Sequence, residues 1–491
     1  MRKAGVQADL FSMPGEFGIG GINQDAEDFV SLISGYGFTV WNTLPVNISG
    51  KDNSPFTGIS FYAGNPVYIN PYDMYSRGLI NGTDLELAKY RGSIYTADYD
   101  FASKSIYGLI EKALDNVSPV LAEEIAAFSA ANRHWLTDYA RYMILSSDAD
   151  GNFSAFPDKL RRRDPQALEL FDEINARKMA HYRLEQYLFY SAWARLKKFA
   201  NDIGVKIVAT VRLGLPYFNA EVWCNPDLFE LGKDGLPLKA LKDGCGAGNS
   251  PLSVPVYIPE RLQADKYSLL RRRFRHLYTL YDGLIIDDAY NLFELNCSSP
   301  DGRCEKFRPD GKKLINLIKK DNPGKILILE KRKKANAGTV YAYDIGGLHT
   351  ENFQNAFAEP SDAGAYPHNY DADCVAFTSR YDTNTALGWL YELEPSVRDE
   401  VLEYVGFSGP GWGAGGRDCT SVKAIARQLI ASACSIAVIP VQDLCGFGDL
   451  TRVNSNNPEG DWKFRLCYDA LNNIDFPYYS GLIKLYKRDE R

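Results

Sequence analysis

The sequence predicts an α/β protein of the (β/α)8 TIM barrel class, with mainly helical subdomains inserted between its strands. Short apolar runs, of the kind that form strands buried on both faces, alternate with long helical stretches along the whole chain. The chain has 491 residues, a length that a barrel with insertions reaches as one unit. We therefore expect residues 1–491 to form a single elaborated barrel domain, although the alternation by itself also permits a doubly wound sheet.

Six runs rich in apolar and β-branched residues are the candidate strands. They read FTVWNTLPV, VKIVATV, GLIIDDA, KILILE, CVAFTS and IAVIPVQD, and they begin at Phe38, Val205, Gly283, Lys325, Cys374 and Ile436. A long segment between the first and second runs has helical periodicity, and we interpret approximately residues 70–202 as a helical insertion within the barrel. No internal repeat or low-complexity linker divides the chain into separate modules.

Charge and hydropathy exclude several classes of partner. The net charge of -7 and the pI near 5.5 argue against a nucleic-acid-binding surface and favour a neutral small-molecule substrate. No stretch is apolar enough to cross a bilayer, and the basic start Met1–Gly5 is not followed by the apolar segment of a signal peptide. We expect a cytoplasmic protein without membrane contact, and leave its oligomeric state open.

The nine cysteines predict buried free thiols rather than disulfides or a metal site. Several lie in apolar runs, Cys374 and Cys434 among them, where a reduced thiol packs well. Cys297 and Cys304 are the one pair at a short spacing, but no second Cys or His pair accompanies them. The prediction is therefore that the cysteines form no metal site.

Other common chemistries find little support in the sequence. The glycine-rich Gly15–Gly21 does not follow a strand, and no G-x-S-x-G motif is present. The five histidines, at 134, 181, 276, 349 and 368, stand outside the candidate strands, which argues against triad hydrolysis. The basic run Arg271–Arg275 is interpreted as a solvated helix face.

Acidic residues follow three of the candidate strands. Asp287 and Asp288 come after GLII, Glu330 after KILIL, and Asp382 shortly after CVAFTS. Each alone is typical of a helix cap, but the carboxyl ends of barrel strands form the active-site face, so the set points to joint chemistry. Two such carboxyls can cleave a glycosidic bond with retention, and a third can stabilise the charged transition state.

Ordered motifs along the chain resemble the amylomaltase-type 4-alpha-glucanotransferases. The N-terminal passages RKAGVQADLFSMPGEFGIGG and NSPFTGISFYAGNPVYIN carry the likeness first, with the element from Ser54 to Pro66 its clearest part. Further landmarks are AEVWCNPDLF, PHNY, TNTALGW, VQDLCGFGDLTRVN and GDWKFRL. Because these occur in the family's order, the resemblance covers essentially the whole chain.

The resemblance implies a role for each acid. It places Asp287 as the nucleophile, Glu330 as the general acid/base and Asp382 as the transition-state stabiliser, with Asn65 and Phe56 near the bound sugar. The implied reaction moves an α-1,4-glucan segment from one malto-oligosaccharide to the 4-hydroxyl of another, without an external cofactor. The implied partner is an α-glucan or malto-oligosaccharide.

The chain departs from the family where the reacting sugar binds. Ile285 replaces the family's Arg two residues before the nucleophile, and Asp288 and Tyr381 replace histidines. Thr210 replaces an Asp, and Leu252 aligns with a Trp of the acceptor side. Lys331 stands at the position of an acid.

These departures leave three hypotheses. In the first hypothesis, the chain is an active transferase in which a neighbouring cation, from Lys331, Arg332 or Arg380, replaces the missing Arg. Its sugar then binds in a pocket that includes Asp288, Tyr381 and Arg380. Alternatively, the chain is a catalytically silent glucan-binding or regulatory homologue, because losing several transition-state contacts lowers the rate steeply. In the third hypothesis, the pocket has been rebuilt for another glycoside donor.

Overall fold

The computed structural model describes residues 2–149, 151–241, 254–299, 303–307, 309–330, 347–358, 363–455 and 460–489. Within them, eleven strands run in chain order: β1 (Lys3–Gln7), β2 (Val40–Thr43), β3 (Lys206–Val211), β4 (Ala240–Leu241), β5 (Gly283–Ile286), β6 (Leu295–Ser298), β7 (Cys304–Phe307), β8 (Ile326–Leu329), β9 (Leu348–Asn352), β10 (Cys374–Phe377) and β11 (Ile436–Pro440).

Eight of these strands are parallel and close into a barrel, so the predicted (β/α)8 barrel is confirmed. Their spatial order is β1-β11-β10-β9-β8-β5-β3-β2. The remaining strands β4, β6 and β7 form a small antiparallel sheet beside the barrel. All six runs that the sequence predicts as strands contribute to the barrel.

Two barrel strands were not recognised in the sequence. β1 has only two apolar side chains, with Gly5 between them, and β9 consists mostly of polar residues, so neither has the apolar run of a buried strand. His349 lies in β9, and the expectation that all the histidines stand outside the strands is therefore wrong.

Helices surround the barrel and fill the long connections. They are α1 (Gln24–Gly35), α2 (Pro71–Ser76), α3 (Gly82–Ala88), α4 (Tyr99–Ala113), α5 (Pro119–Ala131), α6 (Arg133–Ala149), α7 (Asp158–Arg161), α8 (Pro165–Ile174), α9 (Ala176–Asp202), α10 (Ala220–Cys224), α11 (Pro259–Ala264), α12 (Ser268–Leu280), α13 (Gly311–Asp321), α14 (Asn355–Ala358), α15 (Ala386–Glu392), α16 (Pro395–Tyr404), α17 (Thr420–Ala431), α18 (Val441–Leu444), α19 (Tyr468–Asn472) and α20 (Phe476–Leu485). In the part of the chain that the structure describes, no helix combines the length and apolarity needed to span a membrane.

The connection between β2 and β3 carries the helices α2 to α9. The longest of them, α9, has 27 residues and packs against α1, α5 and α6. Its buried residues include Trp193, whose indole N–H donates to the carbonyl of Leu280 and so ties the helix to the barrel layer. This helical layer is therefore built onto the barrel rather than hinged away from it.

Apolar side chains fill the barrel interior. The cluster consists of buried residues from six strands: Val40, Val208, Ile285, Ile328, Val375, Phe377, Ile436 and Val438. Because side chains alternate along a strand, residues two positions beyond these point toward the same axis. The interior layer thus sets the direction of the side chains at the mouth of the barrel.

One arginine of the basic run on α12 is buried. Arg273 is 7% exposed and donates to the carbonyls of Arg212 and Leu213. The prediction of a solvated helix face is therefore wrong for Arg273, because this side chain satisfies the carbonyl groups of the loop that follows β3. The neighbouring Arg272 and Arg275 are exposed, as predicted.

Candidate active site

Strand alternation aims two of the acids into the mouth of the barrel. Asp287 lies two residues beyond Ile285, and Glu330 two beyond Ile328, which are both members of the interior cluster. Their strands are adjacent, and the Glu330 N–H donates to the carbonyl of Ile286. Both acids are buried, with exposures of 1% for Asp287 and 7% for Glu330.

A single guanidinium group contacts all three predicted catalytic acids. Arg380, at the end of β10, hydrogen-bonds Asp287 through one terminal nitrogen. Its other terminal nitrogen lies 3.6 Å from Glu330 Oε1, and its Nε lies 3.6 Å from Asp382 Oδ1. Asp287, Glu330 and Asp382 are therefore gathered at one place, with Arg380 between them.

The surroundings keep Arg380 charged. Burial disfavours the charge of its guanidinium, but the carboxylates of Asp382, Asp287 and Glu330 outweigh this cost and raise the pKa of Arg380 above its ordinary value. A buried guanidinium in contact with several carboxylates is a fixed positive charge at the centre of the mouth.

A second arginine, which the sequence analysis missed, also contacts the predicted nucleophile. Arg212 directly follows β3, and its Nε lies 3.3 Å from Asp287 Oδ2. The neighbouring strands β3 and β5 pair in register, and the Asp287 N–H donates to the carbonyl of Val211. The sequence feature that could have identified Arg212 is its place directly after a candidate strand, two positions beyond Thr210.

Tyr381 completes the contacts of Asp287. Its hydroxyl donates to Asp287 Oδ2 at 2.5 Å and accepts from Arg212 at 3.2 Å. The ring is buried, and burial raises the pKa of Tyr381 well above its ordinary value, so the hydroxyl keeps its proton. Asp287 thus accepts hydrogen bonds from two arginines and one tyrosine.

Asp288 contacts a different part of the protein from the adjacent Asp287. Its carboxylate accepts hydrogen bonds from the backbone N–H groups of Leu213 at 2.7 Å and Gly214 at 3.3 Å. Burial raises the pKa of Asp288, while these N–H groups counteract the shift. The contacts attach Asp288 to the loop that follows β3.

Phe56 lies in an aromatic group at the mouth. Its ring centroid is 5.1 Å from that of Tyr381 and 6.0 Å from that of Trp462, and the Arg212 guanidinium lies 4.5 Å from its centre. Trp462, in the landmark GDWKFRL, was not singled out from the sequence. A cation held against a ring face gains electrostatic stabilisation, so Phe56 helps to hold Arg212 in place.

Asn65 belongs to a loop that the helical layer holds rigidly. Its side chain caps the short helix that begins at Pro66 by accepting from the Val67 N–H. The preceding Gly64 exchanges two backbone hydrogen bonds, of 2.8 and 3.0 Å, with the side-chain amide of Gln186 on α9. Helix α9 therefore positions the loop that carries Asn65.

Glu221 anchors the same loop from another side. Its carboxylate accepts from the Ser60 hydroxyl at 2.6 Å and from the Phe61 N–H at 3.1 Å. Burial raises the pKa of Glu221 to about 7, with the two donors counteracting part of the shift. This acid has a supporting role in the loop, away from the acids around Arg380.

Asp443 supports the strand end from which Arg380 extends. Its carboxylate accepts from the hydroxyls of Thr378 and Ser379 and from the N–H of Ala386. Burial raises the pKa of Asp443, and the three donors lower it. The residue thus ties β10 to the helix that follows it.

The other positions at which the sequence departs from the family pattern divide into two groups. Thr210 is buried on β3 and is the register partner of Ile285, so both lie in the layer below the acids. Leu252, Lys331 and Arg332 lie outside the described residues. Of the three cations predicted to compensate for the missing arginine, the structure therefore describes only Arg380.

The closed (β/α)8 barrel, with acids gathered at the carboxyl ends of its strands, has the architecture of a TIM-barrel enzyme. A family model described as 4-alpha-glucanotransferase matches residues 8–469. The chain belongs to the 4-alpha-glucanotransferase family, as its sequence motifs indicated.

Two curated relatives agree with this assignment. The chain is 27% identical to the 4-alpha-glucanotransferase of Aquifex aeolicus, with all of both chains covered. It is 28% identical to that of Thermus thermophilus, with 96% of each covered. The fold is similar to that of the amylomaltase of Streptococcus agalactiae solved in complex with acarbose, at a TM-score of 0.91 and 21% identity, covering 99% of this chain and 100% of that one.

Proposed function

We propose that this chain is a 4-alpha-glucanotransferase that moves α-1,4-glucan segments between malto-oligosaccharides by a retaining double displacement. The observation that supports this most directly is the contact of Asp287, Glu330 and Asp382 with the single guanidinium group of Arg380. Three gathered carboxylates supply the nucleophile, the proton donor and the stabilising charge that the reaction needs.

Asp287 acts as the nucleophile in the first displacement. One of its oxygens bonds to the anomeric carbon of the donor while the glycosidic C–O bond breaks, and Glu330 gives its proton to the leaving oxygen. The 4-hydroxyl of the acceptor then attacks the same carbon, Glu330 takes the hydroxyl proton, and the bond to Asp287 breaks. The stereochemistry is retained, and Asp382 stabilises the positive charge that develops on the ring.

Arg212 and Arg380 replace the arginine that Ile285 has displaced. Both contact Asp287, and their positive charge beside this carboxylate favours its ionised form and fixes its orientation. Tyr381 supplies a third donor, in the position of a family histidine. The substitutions therefore change which residues serve the nucleophile, while a cation and a neutral donor still bind it.

For the remaining residues we propose a division between sugar contact and support. Phe56 and Tyr381 present aromatic surface at the mouth, and Asn65 lies in the loop beside it. Asp288, which holds the backbone of Leu213 and Gly214, acts on the sugar through that loop. The Arg380 contacts require that an incoming sugar share the space between the acids with a guanidinium group.

Incubation of the purified protein with maltotriose tests the proposal. We expect glucose and a ladder of longer oligomers, and we expect Asp287→Asn to lose the ladder by roughly three orders of magnitude or more in rate. Asp288→Asn is the matched control, since this neighbouring acid contacts backbone and should keep measurable transfer.

Three results distinguish the hypotheses. If the wild-type protein binds maltotriose in calorimetry but forms no products, the chain is a silent glucan-binding homologue. If products form only from other α-linked disaccharide donors, the donor specificity has shifted. A ladder that persists in Asp287→Asn removes this residue from the role of nucleophile.

A further inference from the structure

A second cluster of reactive side chains lies at the opposite end of the barrel. His349, Asp371 and Cys374 each place one potential metal-ligating atom within 4.8 Å of the others. His349 and Cys374 are register partners on β9 and β10, at the beginning of each strand. Because the carboxyl ends carry the acids of the active site, this cluster belongs to a separate site.

The strand pattern places this cluster outside the barrel interior. Val375, next to Cys374, belongs to the interior cluster, so Cys374 and its partner His349 face the layer between barrel and helices. Both are buried, at 0% and 5% exposure. Apolar side chains normally fill this layer, and an imidazole there needs a polar environment.

A second sulfur lies against the first. The two thiols interact, raising the pKa of Cys374 and lowering that of Cys434, and Cys434 is fully buried just before the neighbouring strand β11. The three atoms that lie together, a cysteine sulfur, an imidazole nitrogen and a carboxylate oxygen, are ligand types that zinc binds, and the sulfur of Cys434 beside Cys374 is the candidate for the fourth position of a tetrahedral site.

A buried hydroxyl nearby also has no hydrogen-bond partner. Tyr370 is 5% exposed, its hydroxyl makes no hydrogen bond, and its side chain lies near Glu351, Cys374 and Cys434. Buried polar atoms are rarely left without a partner in folded proteins. An ion with its coordination shell would supply polar surroundings at this point.

We propose that His349, Asp371, Cys374 and Cys434 bind a zinc ion that has a structural role. Asp371 is exposed and forms the solvent edge of the site, through which the metal enters. Two thiolates, a carboxylate and a neutral imidazole around Zn²⁺ leave a single net negative charge. The buried guanidinium of Arg488, 3.3 Å from the Cys434 sulfur, compensates that charge.

The groups behind the ligands fit the outer shell of such a site. Arg488 and the Ser432 hydroxyl, at 3.2 Å, both donate to the Cys434 sulfur. Glu351 Oε1 lies 3.4 Å from Nε2 of His349, and a carboxylate beside a ligating histidine is a usual outer-shell partner. The bound ion would connect β9, β10 and the segment before β11, and so close the barrel at its amino-terminal end.

Cobalt substitution of the full-length protein tests the proposal without reference to transfer activity. The protein is treated with a chelator under a phosphine reductant, and Co²⁺ or Zn²⁺ is then added back. We expect about one metal ion per chain, an intense sulfur-to-cobalt charge-transfer band, and a higher thermal midpoint with Zn²⁺. Absence of the band, or metal bound without it, would overturn the proposal.

Variants assign the ligands. Cys374→Ala and His349→Ala should abolish the charge-transfer band or raise the Co²⁺ concentration needed to produce it. Cys419→Ala, at a buried cysteine elsewhere, should leave the band unchanged. Asp371→Asn changes an exposed side chain that the fold tolerates, and should weaken zinc binding about tenfold or more. Unchanged affinity in Asp371→Asn and an unchanged band in His349→Ala would show that zinc does not bind here.

Discussion

Two groups of carboxylic acids in this molecule differ in the partners that surround them. At the mouth of the barrel, Asp287, Glu330 and Asp382 share the guanidinium of Arg380. Elsewhere, Asp9 after β1 and Glu221 on α10 accept hydrogen bonds from neutral donors, and burial raises the pKa of each to about 7. The same side-chain chemistry therefore serves two purposes.

The difference teaches how burial and charge determine the role of an acid. A buried carboxyl with neutral partners gains a proton near neutrality and holds backbone groups in place. A buried carboxylate that accepts hydrogen bonds from arginines, as Asp287 does, is favoured in its charged form, which nucleophilic attack requires. Removing an arginine at the mouth should make the acids there behave more like Asp9 and Glu221. The predictions below run from the largest expected effect on transfer to the smallest.

Arg380→Met should have the largest effect. It removes the group that contacts all three acids and leaves buried carboxylates with less compensation, so we expect kcat/KM for maltotriose to fall about a hundredfold or more. Arg417→Met is the control, since Arg417 contacts Asp475 at the surface. A rate within twofold of wild type would show that Arg380 is not needed by the acids.

Arg212→Met should lower kcat/KM by about tenfold, because Asp287 keeps its contact with Arg380. The variant combined with Arg380→Met measures whether the two arginines act on the same carboxylate. We expect the combined loss to differ from the product of the single losses, since groups that share a partner are coupled. Independent losses would mean that the two arginines serve different steps.

Tyr381→Phe should reduce kcat by about tenfold or less. It removes one hydrogen bond to Asp287 and keeps the aromatic ring against Phe56. Comparison of KM with kcat then locates the role of the hydroxyl: a change in KM alone would assign the Tyr381 hydroxyl to sugar binding rather than to the nucleophile.

Glu221→Gln should leave transfer within about twofold and change the pH dependence of stability instead. The folded pKa of about 7 lies above the ordinary value of 4.5, so the folded state binds the proton more tightly. The contribution of this group is therefore fully present below pH 4.5 and is lost as the pH rises toward 7, by up to about 3 kcal/mol. Denaturant unfolding at pH 5 and pH 7.5 should show a smaller decrease in the variant, and an equal decrease would contradict the role of Glu221.

Much of the fold could be predicted because its strands obey a simple rule. Parallel barrel strands are buried on both faces, and six of eight carry the apolar runs that this requires. β9 does not, because its outward residues His349 and Glu351 contact each other and the polar cluster at the amino-terminal end. A polar strand that is stabilised by such local contacts has no signal in hydropathy.

The predicted site shows a similar limit. The three acids were found because each follows a recognisable strand, whereas Arg212 and Arg380 carry no motif that distinguishes them from surface arginines. Their proximity to Asp287 depends on closure of the barrel, which brings β3 and β10 to either side of the mouth. Arg380 was named as one of three candidate cations, and its contact with all three acids was visible only in the folded chain.

The contact of one guanidinium with three acids links the effects of substitutions at these positions. Substitution of one acid leaves Arg380 with two carboxylates, whereas substitution of Arg380 removes the cation that all three acids share, so the four positions are energetically coupled. Introducing arginine by Ile285→Arg alone would add a third cation near a carboxylate that Arg212 and Arg380 already contact.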